Sequence, residues 1–167
     1  MPEDGKDFVS QVHGISVHLT GVAVHTIKEY ALAAGDRETG GILVGRYDGH
    51  GNNVTVSEAT TQSKDSRSGR TWFQRGVHGL KDLLQSRWRH GEYYVGEWHS
   101  HPRAAPEPSA SDIKEMRAIS KEISYRCPKP VMIIAGTSAA REVYLSASVF
   151  ERGGLVRLQE SSVSSET

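Results

Sequence analysis

At 167 residues the chain has room for one domain able to bury a core without disulfides, and its single cysteine, Cys127, excludes an internal disulfide or a cysteine-rich structural metal site. Twenty basic side chains balance twenty acidic ones, which argues against a protein built around non-specific nucleic-acid binding, since that needs a net basic face. The opening Met1-Pro2-Glu3-Asp4-Gly5-Lys6-Asp7 lacks the basic and apolar regions of a signal peptide, and no apolar run approaches the length of a membrane span; cytoplasmic residence is expected, with no membrane or nucleic-acid partner.

Residues 1–14 read as a lead-in, 15–158 as a single domain and 159–167 as a polar, fraying tail. A strand is expected over 15–19. A helix follows over 21–34, with Val22, Val24, Ile27 and Ala31 at apolar positions and Gly35 suited to its stop. Glu38 stands just before a strand over 42–45, where the handover from helix to sheet gives it a fixed platform. The turn-rich Asp48-Gly49-His50-Gly51-Asn52-Asn53 leads to a partner strand over 54–59. Residues 60–75 change character, mixing serines and charges with Trp72 and Phe73, and read as an exposed, mobile segment. The periodicity of Leu80, Leu83, Leu84 and Trp88 predicts a helix over 77–89, and a buried strand follows over 93–101. A second major helix is expected from Ser109 to about 125, with Ile113, Met116, Ile119 and Ile123 facing the sheet. Further strands are expected over 131–135 and 143–149, with an edge over 155–158. Cys127-Pro128, between a helix and a strand and without a paired histidine, reads as a buried or half-buried thiol and not as a nucleophile.

Chemistry concentrates in His99-Ser100-His101-Pro102 and the downstream Ser109 and Asp112. Strand alternation puts both imidazoles on one face, about 6.6 Å apart along the backbone, a gap that two tilted rings can close onto one ion. Pro102 ends the strand, and the proline-rich stretch to Pro108 gives the chain room to turn and return Asp112 as a third ligand. Two nitrogens and one oxygen leave a fourth tetrahedral position open, the pattern of catalytic and not structural zinc. Each part has a plainer reading. Ser109-Ala110-Ser111-Asp112 has the form of a helix capping box, and an H-x-H pair alone can be two ordinary hydrogen-bonded residues; it is their ordered combination that is selective. Glu97 shares the face of His99 and His101, either as a competing base or as a paired charge behind the site. The histidines at 13, 18, 25, 50, 78 and 90 lack such spacing and read as structural or surface residues.

The pattern His99-x-His101-Pro102-x6-Ser109-x-x-Asp112, with Glu38-Thr39-Gly40-Gly41-Ile42-Leu43-Val44-Gly45 upstream, resembles the JAMM (MPN/JAB) metalloprotease family over about 16–148, and nothing in either motif departs from the active pattern. The phrase Gly96-Glu97-Trp98-His99-Ser100-His101-Pro102 is most similar to the short prokaryotic JAB-domain proteins that remove ubiquitin-like modifiers, including those encoded beside E1- and E2-like enzymes in antiviral operons. The resemblance implies an α/β fold of the MPN/JAB (cytidine deaminase-like) layered type, a mixed curved β-sheet flanked by helices. It implies one zinc ion per chain held by His99, His101 and Asp112, with Glu38 as general base and acid and Ser109 stabilising the tetrahedral intermediate. The substrate implied is a ubiquitin-like modifier or its conjugate, with operon-encoded E1- and E2-like enzymes and a nucleotidyltransferase target as partners; 63–72 would be a flap that orders on the modifier, against the alternative of a polar loop with Trp72 and Phe73 in the core. Release of a small group from a ubiquitin-fold sulfur carrier would use the same site. A non-catalytic scaffold of this fold commonly lacks part of the metal set, all of which is present here, and a zinc nucleotide deaminase would need a P-C-x-x-C element that is absent.

Overall fold

The computed structural model describes residues 3–151 and 154–161. Its frame is a nine-stranded mixed sheet, built from β1 (Lys6–Ser10), β2 (Ile15–Leu19), β3 (Gly40–Asp48), β4 (Asn53–Ala59), β7 (Tyr93–His101), β8 (Val131–Thr137), β9 (Val143–Glu151), β10 (Gly154–Arg157) and β11 (Gln159–Glu160). The two remaining strands, β5 (Arg67–Ser68) and β6 (Phe73–Gln74), form a separate hairpin. The sheet order is β10-β9-β8-β7-β3-β4-β2-β1-β11, with β2/β4 and β7/β8 parallel and the other pairs antiparallel. Central strands β7 and β8 are buried on both faces, because helices cover both sides.

The alternation of β3 sorts the core into two layers. Leu43 joins Val56, Trp98 and Ile133 beneath α1 (Gly21–Ala33), whereas Ile42 and Val44 join Met132, Ile134 and Phe150 beneath α2 (Leu80–Trp88) and α3 (Ala110–Lys121). Thr20 caps α1 by accepting from the Ala23 N–H at 3.3 Å, and Gly35, at φ +64°, takes the left-handed conformation that ends it. Ala23, Val24, Ile27 and Ala31 form its buried stripe. Val22, expected inside, is exposed, because at about 3.6 residues per turn it lies on the face opposite Val24, Ile27 and Ala31.

Other expectations shift for similar local reasons. The helix expected over 77–89 begins only at Leu80, since Gly79 is left-handed at φ +79°; Leu80, Leu83 and Leu84 pack on the core, but Trp88 is exposed. The helix expected to reach 125 stops at Lys121, where Glu122 turns to extended backbone, and a short 3-10 turn, Ile123–Tyr125, follows. Ile123 consequently points to solvent at 88 % exposure, while Met116 and Ile119 hold the contact with the sheet. The stretch read as a lead-in supplies β1, which pairs with β2 and seats Phe8 in the core. Within the stretch read as a polar tail, β11 pairs with β1; 162–167 of that stretch lie outside the described residues. Cys127 is buried, with Sγ 3.1 Å from the Tyr47 hydroxyl, and burial lifts its thiol to about 11. Among the described residues no helix is long and apolar enough to cross a membrane.

Candidate metal centre

The antiparallel pairing of β3 and β7 brings the two sequence motifs together, with Gly40 opposite His99 and Gly41 opposite Trp98. A Cβ at Gly40 would run into the Trp98 carbonyl and the His99 side chain, so glycine allows this close approach. Just beyond the ladder, the Thr39 N–H donates to Ser100 Oγ at 3.0 Å and the Ser100 N–H donates to the Thr39 carbonyl at 2.8 Å. These bonds fix the residue next to Glu38 onto the residue between the two histidines. Ser100, fully buried, is therefore part of the site's construction, a role that spacing alone did not disclose.

On the α3 face, His99 Nε2 lies 2.7 Å from Asp112 Oδ1 and His101 Nε2 lies 3.2 Å from Asp112 Oδ2. The three side chains offer donor atoms that all fall within 4.8 Å of one another. Ligands at about 2.1 Å from a tetrahedral ion are about 3.4 Å apart, so a small expansion would seat a divalent ion. Two imidazole nitrogens and one carboxylate oxygen suit the zinc that the resemblance implies. Asp112 is held by the capping box of α3: its Oδ2 accepts from the Ser109 N–H at 2.7 Å, and its own N–H donates to Ser109 Oγ at 3.1 Å. Capping thus holds Asp112 beside the two imidazoles, so the capping-box reading of Ser109-x-x-Asp112 holds and leaves room for a ligand role.

Electrostatics follow from burial and proximity. Burial pushes the Asp112 carboxyl up, but hydrogen bonds from His101 and His99 outweigh it and hold the group far below the usual carboxylate range. For His99 burial disfavours the charged ring, yet the Asp112 hydrogen bond and charge prevail and raise its pKa. Glu38 is also buried, and loss of solvent lifts its carboxyl above the ordinary value despite the pull of His101 and His99. A cleft of about 280 Å³ joins Glu38, Phe73, His99, His101, Ser109 and Asp112. All five sequence-nominated residues meet there.

Glu97 does not open into that cleft as a second base. Its Oε1 accepts from Arg75 Nε at 2.5 Å and its Oε2 from the Tyr94 hydroxyl at 2.5 Å, so the paired-charge reading describes it; burial raises its carboxyl while Arg75 pulls it back. The segment 60–75 wraps the opposite wall. Gly69 accepts from the Glu38 N–H at 2.8 Å, the Phe73 ring lies 6.4 Å from that of His99, and Trp72 is half exposed at the cleft instead of packing in the core. A larger groove of about 600 Å³, lined by Tyr47, Trp88, Tyr93 and Tyr125, sits at the other end of β7, and among the described residues no metal-ligand group converges there.

Comparison with known proteins adds to this geometry. Residues 22–148 match the family model described as prokaryotic homologs of the JAB domain. The chain is 52 % identical over 130 residues to a CD-NTase/cGAS isopeptidase of Enterobacter hormaechei subsp. hoffmannii, covering 77 % of this chain and 72 % of that one. It is 27 % identical over 122 residues to a CD-NTase/cGAS isopeptidase of Pseudomonas aeruginosa, covering 71 % and 76 %, and 33 % identical over 108 residues to a probable metalloprotease of Sinorhizobium fredii, covering 59 % and 62 %. Among solved structures, protein DSY2949 of Desulfitobacterium hafniense superposes with a TM-score of 0.60 over 83 % of this chain and 87 % of that one; at 20 % identity it speaks to the fold alone.

Proposed function

This chain belongs to the family of prokaryotic homologs of the JAB domain, and from that premise we propose that it is a zinc-dependent isopeptidase. It cleaves the amide bond that joins the C-terminus of a ubiquitin-like modifier to a lysine side chain or to a peptide extension. The observation that carries the reading is the convergence of His99, His101 and Asp112 on one point with buried Glu38 beside them. The isopeptidase activity toward CD-NTase or cGAS named for two relatives supports the substrate class. On that support the conjugate is a modifier attached to a nucleotidyltransferase of this kind, made by E1- and E2-like enzymes and cleaved in the cytoplasm during antiphage defence.

Zinc held by the triad supplies Lewis acidity, which polarises a carbonyl and brings deprotonation of water close to neutral pH. Glu38 accepts the water proton at a carboxylate oxygen and passes it to the departing amine. Its raised pKa suits that transfer, because a carboxylate of higher pKa is the stronger base toward the water proton and keeps that proton nearer neutral pH until the amine departs. Ser109 already accepts the Asp112 N–H, so its own hydroxyl hydrogen is available to donate where negative charge develops. The hairpin around 63–72, held against the cleft, receives the modifier's tail, with Trp72 and Phe73 walling that cleft.

The test is cleavage of the operon's ubiquitin-like protein carrying a C-terminal extension, followed by intact mass with wild type, Glu38→Ala and chelated protein. Release at one bond by metal-loaded wild type alone is expected. A folded protein that takes up no zinc and releases nothing would overturn the reading in favour of a scaffold.

A further inference from the structure

The hairpin of β5 and β6 is tied to the rest of the molecule at three places. At its base, Asp65 accepts from the Val77 and His78 N–H groups at 2.9 Å each, and Ser66 Oγ accepts from the Gly76 N–H at 2.9 Å. Near its tip, the Gly69 carbonyl takes the Glu38 N–H at 2.8 Å. The third tie is buried. Arg75, directly after β6, donates from Nε to Glu97 at 2.5 Å, from Nη2 to the Tyr125 hydroxyl at 2.9 Å and from Nη1 to the Gly76 carbonyl at 3.0 Å. The Tyr94 hydroxyl completes the set on the other Glu97 oxygen. The side chains of Arg75 and Glu97 are only 11 % and 5 % exposed.

Two features make this more than a surface ion pair. Tyr94 reaches Glu97 because the β3–β7 ladder slips at Leu43/Val44, leaving Val95 as an extra residue and turning Tyr94 to the face of Glu97 and His99. Phe73 precedes Arg75 by two residues and His99 follows Glu97 by two, and the rings of Phe73 and His99 face each other across the cleft. The ion pair is thus a rung joining two extended segments, and it sets how far the hairpin stands from the strand that bears both histidines. A buried ion pair adds little net stability because desolvation offsets its attraction, whereas breaking it is costly, so it can hold one segment in register against another.

We propose that Arg75 is a positioning residue that, through Glu97, clamps the 67–74 hairpin to the metal-bearing strand and so fixes the width of the cleft that receives the substrate tail. The clamp acts on the hairpin and not on the metal ligands. Its loss lets the hairpin lift while His99, His101 and Asp112 stay together. The effect on cleavage rests on the isopeptidase reading; the effect on the hairpin does not.

The experiment compares wild type with Arg75→Lys, Arg75→Met and the double variant Arg75→Met/Glu97→Met, which leaves no unpaired buried charge if the single Met variant fails to fold. Hydrogen exchange of the zinc-loaded proteins is read over 63–78 and over β3, β7 and β8. Exchange in 67–74 is expected to rise by roughly tenfold or more in the Met variants, with the sheet unchanged and Arg75→Lys between them and wild type. On a modifier with a C-terminal extension, KM is expected to rise about tenfold with kcat within about threefold of wild type. Wild-type exchange in 67–74 of the folded double variant would overturn the clamp. So would a fall in kcat and zinc affinity at unchanged KM, which would make Glu97 a buttress of His99. No cleavage by any protein, with the exchange difference present, would count against the isopeptidase reading and leave the clamp standing.

Discussion

Ser109 caps α3 and faces the cleft, and substitution can separate the two roles. As a cap, its Oγ takes the Asp112 N–H at 3.1 Å while the Asp112 carboxylate takes the Ser109 N–H at 2.7 Å. Ser109→Ala removes the oxygen and should cost about 1 kcal/mol, whereas glycine, an acceptable cap, should cost only a few tenths. For a chain of 167 residues, that is a fall in Tm of about 2–4 °C for alanine and roughly 1 °C or less for glycine. As a donor to the developing oxyanion, the hydroxyl is absent from both variants, and both should lose about 10²- to 10³-fold in kcat. Thermal melts and kcat, taken on the same zinc-loaded preparations, therefore move independently. Alanine and glycine should differ in Tm and agree in turnover. If Ser109→Gly kept kcat within about threefold of wild type while Ser109→Ala did not, turnover would be following the cap, and the donor role would be wrong.

Glu38→Gln should bind zinc as wild type does and lose about 10²- to 10⁴-fold in kcat; a zinc-free variant would instead place Glu38 in the ligand set. Because the base must be ionised, kcat/KM should fall on an acid limb as the Glu38 carboxyl, raised by burial, takes up its proton, and the same limb persisting in the residual rate of Glu38→Gln would contradict the assignment. Zinc at about a hundredfold excess over its Kd should stabilise the protein by about 2.7 kcal/mol, a rise in Tm of roughly 5–11 °C that chelation reverses and that His99→Ala abolishes; equal rises in His99→Ala would point to binding elsewhere. The carboxyl of Asp65 is lowered from 3.8 to about 2 by the Val77 and His78 N–H groups. A lowered pKa stabilises the closed loop above the unfolded value and loses that contribution as pH falls through the folded one, so proteolysis within 63–78 should increase between about pH 4 and pH 2. In Asp65→Asn that pH dependence should disappear; its persistence would assign the opening to another group.

Where the candidate metal ligands were legible in the sequence, the interactions were local. His99 and His101 share a face because strand alternation has period two, and Asp112 is tied to Ser109 because a capping box spans three residues. Local rules failed at element ends. Ile123 fits the helical period of Ile113, Met116 and Ile119, yet the break at Glu122 ends the helix before it, and Val22 was placed inside on its apolar character although it lies across the helix from Val24, Ile27 and Ala31. Strands β1 and β11 were missed because β1 buries only Phe8 and β11 is exposed throughout, so their pairing rests on backbone bonds that leave little mark on side-chain choice.

The ties between distant parts of the chain were illegible for a different reason. Thr39 with Ser100, Gly69 with Glu38 and Arg75 with Glu97 join segments whose separation along the chain carries no period. Glu97 is the clearest case. Alternation correctly puts it on the histidine face, which made it a rival base, but which group it meets there depends on Arg75 arriving from the hairpin and on the slipped ladder that turns Tyr94 toward it. A carboxylate with both oxygens occupied by donors is poorly placed to take a proton from water, whereas Glu38 is buried at the cleft beside the two histidines and has no donor on its side chain among the described residues. The choice between the two glutamates is therefore a statement about their partners. It is also why Glu97→Gln should alter the fit of the hairpin while Glu38→Gln removes proton transfer.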